Sequence, residues 1–214
     1  MSLITEISEQ LQKGKAKIVK QLVQQAVDEG MDAQEILNNG LLGGMMIVGE
    51  KFKNNEVFVP EVLVAARAMN GGLAILEPLL VSDGVEPVGK LVIGTIQGDL
   101  HDIGKNLVCM MLKGAGFEVH DLGVDVAPER YVDEAEAINA DIICVSALLT
   151  TTMPSMENVV KELEARGLRD KYIVMVGGAP VNQNFCDQIH ADFYTPDATT
   201  CAEKALEAVT ARKG

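Results

Sequence analysis

The first eighty residues repeat their apolar positions at helical spacing. Ile4, Ile7 and Leu11 share one face of a first helix, and Ile18, Leu22, Val23 and Ala26 share one face of a second, which Gly30 ends. Asp32, with Glu35 three residues on, reads as a capping box. Ile36, Leu37, Leu41, Met45, Val48 and Phe52 then mark a long third helix. Within it Gly40, Gly43 and Gly44 either weaken the helix or admit a close neighbour. Val59-Pro60-Glu61 opens a fourth helix, with proline in its first turn, and Val62, Ala65, Met69, Leu73 and Leu76 carry it towards Leu80. Helices joined this closely predict a small antiparallel bundle of four.

Residues 81–89, VSDGVEPVG, hold Asp-Gly, Pro and Gly close together and read as a linker and a hinge. Beyond it the period changes. Short β-rich runs at 90–96, 118–122, 141–146, 172–176 and 193–195 alternate with helical stretches near 104–115, 128–139, 153–166, 182–190 and 199–211. This alternation predicts an α/β fold with a doubly wound, five-stranded parallel sheet. The expected domains are a helical one over 1–85 and an α/β one over 86–214. In such sheets ligands sit beyond the C-terminal ends of the strands.

Charge and cysteine usage narrow the function. The formal net charge of −13 disfavours nucleic acid and anionic membranes as partners, and no Lys/Arg cluster offsets it. No unbroken apolar run of about 18 residues is present, so no membrane span is expected. Cys109, Cys144, Cys186 and Cys201 are far apart and form neither a disulfide framework nor a zinc site. With no secretory apolar core in MSLITEISEQLQKGK, the expectation is a reduced, cytoplasmic setting.

The stretch GDLHDIGKN, residues 98–106, falls where the first strand should give way to a helix. In an extended segment Asp99 and His101 point the same way. A carboxylate beside an imidazole fixes the tautomer and makes the other ring nitrogen a better donor. That suits a metal ligand or a general base; a helix cap beside a surface imidazole is the plainer alternative. Gly104 offers a tight turn or close backbone approach. A GxGxxG loop and a P-loop are both missing, and zinc finds no second nitrogen or sulfur ligand nearby. The third strand runs into Ser146-Ala147-Leu148-Leu149-Thr150-Thr151-Thr152, and the fourth into Gly177-Gly178-Ala179-Pro180. In a parallel sheet these ends share one edge with His101, where hydroxyls and side-chain-free backbone would line a crevice for a large ligand.

Asp99-x-His101-x-x-Gly104, then Ser146-x-Leu148, then Gly177-Gly178 resembles the D-x-H-x-x-G…S-x-L…G-G pattern of cobalamin-binding domains. The intervals, residues 105–145 and 149–176, are those the family uses. The resemblance implies a flavodoxin-like, Rossmann-like cobalamin-binding fold. It implies that the corrinoid's nucleotide tail leaves cobalt and enters the sheet-edge pocket, so that His101 becomes the lower cobalt ligand. Asp99 would then bond the imidazole and Ser146 would extend the relay, which makes Asp99, His101 and Ser146 the catalytic candidates. Gly98, Asp102, Ile103 and Gly104 join them as cofactor-binding candidates. Leu148, Gly177 and Gly178 would shape the tail channel, and Thr150, Tyr194 and Ala198 would touch the tail or corrin edge. The implied cofactor is cobalamin, cycling between methylcobalamin and a cobalt(I) corrinoid, with proton sharing along the relay adjusting the strength of the ligand.

Residues 49–69, GEKFKNNEVFVPEVLVAARAM, are similar to the helical cap of stand-alone corrinoid proteins of methyltransferase systems and of methionine synthase. Phe58, Val62 and Met69 are then cap contacts or plain bundle core. A chain of this type implies a methyl shuttle. Its partners would be a substrate-specific methyltransferase and an acceptor methyltransferase, with a reductive activator as a further one. A cobalamin-binding sensor or storage module is the second reading, and a flavodoxin-like domain without corrinoid the third. His120 and His190 are expected in surface or capping roles, and Met45, Met46, Met110 and Met111 in packing.

Overall fold

The computed structural model describes residues 2–82 and 86–213. It divides into two compact units, Met1–Glu86 with Gly114–Gly116, and Pro87–Lys113 with Phe117–Gly214. Part of the expected hinge, residues 83–85, lies outside the described residues.

The first unit is helical. Helix α1 (Leu3–Gln12) is capped by Ser2, whose hydroxyl accepts from the Thr5 N–H at 3.2 Å. Helix α2 (Ala16–Asp28) follows. Asp32 caps the next helix as its spacing predicts, accepting from the Glu35 N–H at 2.8 Å. That long helix is not uniform. It starts as α3 (Ala33–Glu35), widens into a π-helical stretch (Ile36–Leu42) and continues as α4 (Gly43–Lys53). The glycines explain what the spacing left open. A Cβ on Gly40 would lie 3.2 Å from the Ile7 side chain, and one on Gly44 would lie 3.1 Å from the Ser8 Cα. Glycine here lets α1 lie close against the helix.

Helix α5 (Val59–Ser82) runs past the expected end and carries Pro78 inside it. Val62, Ala65, Met69 and Leu76 are buried with Ile7, Leu11, Val23, Ile36, Leu41 and Met45. Val62 and Met69 are therefore bundle core, whereas Phe58 is 63% exposed. By length and composition alone, Val59–Leu80 is apolar enough to cross a membrane, although Arg67 and Glu77 break its apolar run.

In the second unit, strands β1 (Lys90–Thr95), β2 (Glu118–Asp121), β3 (Ile142–Ser146), β4 (Ile173–Gly177) and β5 (Phe193–Thr195) pair in parallel in the order β2-β1-β3-β4-β5. Helices α6 (Ile103–Gly114), α7 (Pro128–Ala137), α8 (Met153–Ala165), α9 (Gln183–Gln188) and α10 (Ala198–Lys213) connect or follow them. The expected fold class holds, with boundaries moved by at most two residues. Ile96, expected within the first strand, forms an isolated bridge with Val126 instead.

β1, β3 and β4 are apolar because they are covered on both faces, whereas the edge strand β2 reads Glu-Val-His-Asp and buries none of its residues. Val92, Ile143, Val145, Val174 and Val176 pack with Tyr131, Val132, Val159, Val160 and Leu163 of α7 and α8. The chain leaves β1 towards β2 on one side and later returns to β3 on the other. The strand order thus reverses beside β1, and in doubly wound sheets that reversal is where ligands are received at the C-terminal strand ends.

Candidate functional site

Register places the site. Thr95 pairs with Ser146, Ser146 with Gly177, and Gly177 with Thr195, so one row crosses the C-terminal ends of four strands. Immediately beyond β1 the chain turns through Gly98 at φ +86°, a left-handed conformation that favours glycine. Asp99 follows, fully buried, and then His101, whose side chain is 52% exposed.

The two meet by more than an extended spacing. Asp99 Oδ1 lies 2.8 Å from His101 Nδ1 and also accepts from the His101 main-chain N–H at 3.1 Å, as in an Asx turn. The Thr95 hydroxyl donates to the His101 carbonyl at 2.8 Å. An ionised Asp99 only accepts, so Nδ1 carries the proton and the Nε2 lone pair is left available. Nε2 has no hydrogen-bond partner among the described residues.

Asp99 Oδ2 accepts from the Leu148 N–H at 2.7 Å, the Leu149 N–H at 3.1 Å and the Thr152 hydroxyl at 3.1 Å. Burial alone would raise its pKa. The bonds from the Leu148 amide, the His101 ring and amide, and the Leu149 amide outweigh burial and hold the carboxyl well below the usual carboxylate range. Asp99 is thus a fixed anion.

The hydrogen-bonded chain runs Thr152–Asp99–His101, and Ser146 is not among the partners of Asp99. Ser146 stands in the strand row, where its carbonyl accepts from the Ile96 N–H at 2.9 Å. Thr152 is the residue sequence reasoning missed, and a run of three threonines after a strand gives no local signal of which one turns inward. It does so because the turn after β3 folds back. The Thr152 hydroxyl also donates to the Leu149 carbonyl at 2.9 Å, and the residue is only 7% exposed.

The other expected residues divide. Asp102 and Ile103 lie at the start of α6, both exposed; the Asp102 carbonyl accepts from the Asn106 N–H at 2.7 Å and its carboxylate from the Asn106 amide at 3.1 Å. Ile103 is 77% exposed, and Leu148 is also exposed. A Cβ on Gly104 would meet nothing within 4 Å, so the protein itself leaves open space there. At Gly178, φ is +126° and a Cβ would fall 1.8 Å from the Ala147 carbonyl oxygen, so packing between the β3 and β4 ends demands this glycine. A Cβ on Gly177 would sit 3.1 Å from the Thr195 carbonyl oxygen. Thr150 is exposed and Tyr194 half-buried, while Ala198 is buried at the start of α10, which Asp197 caps by accepting from the Thr200 N–H at 2.8 Å.

His120 and His190 stand apart. His120 Nε2 lies 2.8 Å from Glu118, and its Nδ1 3.5 Å from Glu134. His190 adopts φ +57° just after α9. Met45 and Met111 are buried, and Met46 is 56% exposed.

An imidazole with one nitrogen clamped and the other without a partner, exposed Ile103 and Leu148, and open space beside Gly104 at a switch-point crevice together fit a large planar group with a nitrogen-seeking metal. The comparisons agree. A family described as B12 binding domain matches residues 89–205, and a second family of that description matches residues 3–77. A corrinoid protein of Desulfitobacterium hafniense is 43% identical over 208 residues, 96% of each chain. The dimethylamine corrinoid protein of Methanosarcina barkeri is 42% identical over 206 residues, again 96% of each. A chain of the methanol:cobalamin methyltransferase complex of Methanosarcina barkeri superposes with a TM-score of 0.87 at 29% identity, covering 97% of this chain and 80% of that one. With both family matches and relatives above 40% identity over nearly the whole length, the chain belongs to the corrinoid proteins of the B12-binding family, and its cofactor is a corrinoid.

Proposed function

We propose that this protein is a methyl carrier. It holds a corrinoid with the nucleotide tail displaced and His101 as the lower axial ligand, and it serves a substrate-specific methyltransferase and a second, acceptor methyltransferase. When bound, the corrinoid supplies a cobalt centre that accepts and releases a methyl group. The observation that carries the reading is the 2.8 Å contact between His101 Nδ1 and a buried, fully hydrogen-bonded Asp99.

The chain's own residues do the rest. Asp99 holds the imidazole in the Nδ1–H tautomer and stabilises positive charge on it, which makes Nε2 a stronger donor. Thr152 and the Leu148 and Leu149 amides keep that carboxylate oriented and ionised. Gly104 leaves room beside the ligand, while Ile103 and Leu148 offer apolar surface to the ring. Ser146, Thr150, Gly177, Gly178, Tyr194 and Ala198 are assigned to the tail pocket on their place at or beyond the strand ends. Residues 1–85 are assigned as the helical domain and 86–214 as the corrinoid-binding domain.

The named relatives support partnership with methyltransferases, since one is a dimethylamine corrinoid protein and another a chain of a methanol:cobalamin methyltransferase complex. A reductive activator is a further proposed partner. Four buried free thiols suit a reduced, cytoplasmic setting.

The test is electron paramagnetic resonance of the protein loaded with divalent cobalamin, prepared with nitrogen-15 histidine. Histidine ligation changes the nitrogen hyperfine pattern on isotope substitution, and His101→Ala abolishes that change. A pattern that ignores the isotope refutes the ligand assignment.

A further inference from the structure

The loop after β2 carries polar groups that the ligand assignment leaves unused. Asp121 ends β2, and both its carboxylate oxygens lie 2.7 Å from the Lys105 ammonium, which is 2% exposed. Lys105 is in the first turn of α6, so this pair of a buried ammonium and an exposed carboxylate ties the start of that helix to the end of β2. The loop then runs alongside β1. The Thr95 N–H donates to the Gly123 carbonyl, and the Val126 N–H donates to the Thr95 carbonyl, each at 3.0 Å.

Between these anchors stands Asp125, at φ +54°. Few residues without a glycine's freedom adopt this conformation, and aspartate is among those that tolerate it. Asp125 Oδ1 accepts from the Gly98 N–H at 2.7 Å, and the Asp125 N–H donates to the Asp99 carbonyl at 3.0 Å. One residue therefore grips two consecutive residues of the ligand loop, from the side away from β3. The Asp99 N–H is itself held by the Ile96 carbonyl at 3.1 Å. With its amide and carbonyl both fixed, Asp99 has one direction for its Cα–Cβ bond. That direction brings its carboxylate to Leu148, Leu149 and Thr152, and the imidazole follows.

We infer that Asp125 is a positioning residue for His101: by clasping the Gly98 N–H and the Asp99 carbonyl it holds the ligand loop in the conformation that presents the imidazole. This rests on the proposed ligation by His101. It gives Asp125 no contact with the cofactor; it acts through Asp99. A loop without the clasp must be ordered by the cofactor itself, which lowers the fraction of bound corrinoid that has histidine on cobalt.

Two variants separate this role from general stabilisation. Asp125→Gly keeps the backbone conformation and the N–H to Asp99 but removes the carboxylate. Asp125→Asn keeps an acceptor at Oδ1. Both are loaded with divalent cobalamin in nitrogen-15 histidine form, and unfolding midpoints in urea are measured alongside. Loss of one charge-assisted bond should lower the histidine-on equilibrium constant of Asp125→Gly about tenfold, with Asp125→Asn within about twofold of the parent. If Asp125→Gly does not fold, Asp125→Ser, whose hydroxyl is too short to span to Gly98, carries the same criterion. Full histidine signal in the glycine or serine variant, whatever its urea midpoint, overturns the inference, as does equal loss in Asp125→Asn. His101→Ala run in parallel keeps the two ideas apart. Retained histidine coupling there removes the ligand assignment, whereas lost coupling there with full coupling in Asp125→Gly removes only the positioning role.

Discussion

Thr152→Val removes one hydroxyl from the Asp99 carboxylate and little else. The bond is 3.1 Å long and the same hydroxyl serves the Leu149 carbonyl at 2.9 Å, so its proton is shared. A hydrogen bond to a charged group contributes about 1.5–3 kcal/mol, and a shared one belongs at the low end. Thr152 is 7% exposed, so the methyl group that replaces the hydroxyl stays out of water and returns up to about 0.8 kcal/mol. The net cost is about 1 kcal/mol. Ser146→Ala removes a hydroxyl that Asp99 does not use and should stay within about 0.5 kcal/mol of the parent. Urea unfolding at neutral pH measures both. The Thr152 penalty requires an ionised Asp99, so it should largely vanish in an Asp99→Asn background. It should also shrink in acid. Asp99 has a folded pKa held below its unfolded value, so its stabilisation is complete above the unfolded pKa, about 3.9, and is lost as pH falls through the folded value. A Ser146→Ala cost as large as that of Thr152→Val, or a Thr152→Val penalty undiminished with Asp99→Asn, would refute the Thr152–Asp99 bond as the source of the loss.

Three further outcomes follow from the same geometry. Gly178→Ala forces a Cβ to 1.8 Å from the Ala147 carbonyl oxygen at φ +126° and should cost about 3 kcal/mol or more in urea unfolding; a loss below 1 kcal/mol, roughly the propensity difference alone, would mean the strand ends relax freely. The Tyr131 hydroxyl is buried without a hydrogen-bond partner among the described residues, so Tyr131→Phe should be neutral or stabilising by up to about 1 kcal/mol, and a clear loss of stability would reveal a bound water or partner. Burial and the nearby Asp121 push the Cys109 thiol up to about 12, and burial and Asp187 push Cys186 up to about 11. With all four cysteines buried, a disulfide reagent at pH 8 should react slowly with the native protein and with four equivalents in urea; fast native reaction would contradict the burial.

The bundle and the sheet were both legible because each element carries its own period. Ile7 and Leu11 on α1, or Ile142 to Val145 on β3, announce helix face and covered strand through neighbours in the chain. What local pattern could not give was the π-helical stretch over Ile36–Leu42. There the close approach of α1 at Gly40 constrains the helix from outside. The role of Gly178 was likewise hidden, since its need for glycine comes from Ala147, just past the end of β3.

The sequence by itself determined the α/β order, the strand end that bears His101, and the pairing of that histidine with Asp99, because residues two apart are brought together by the local turn. Only the tertiary structure decided which hydroxyl completes the chain to Asp99, and that Asp125 grips the loop from behind. Thr152 lies 53 residues from Asp99 and Asp125 lies 27 from Gly98. Hydrogen bonds over such intervals depend on strand register and on how each loop folds back over the sheet edge, and neither is written in the spacing of residues along the chain.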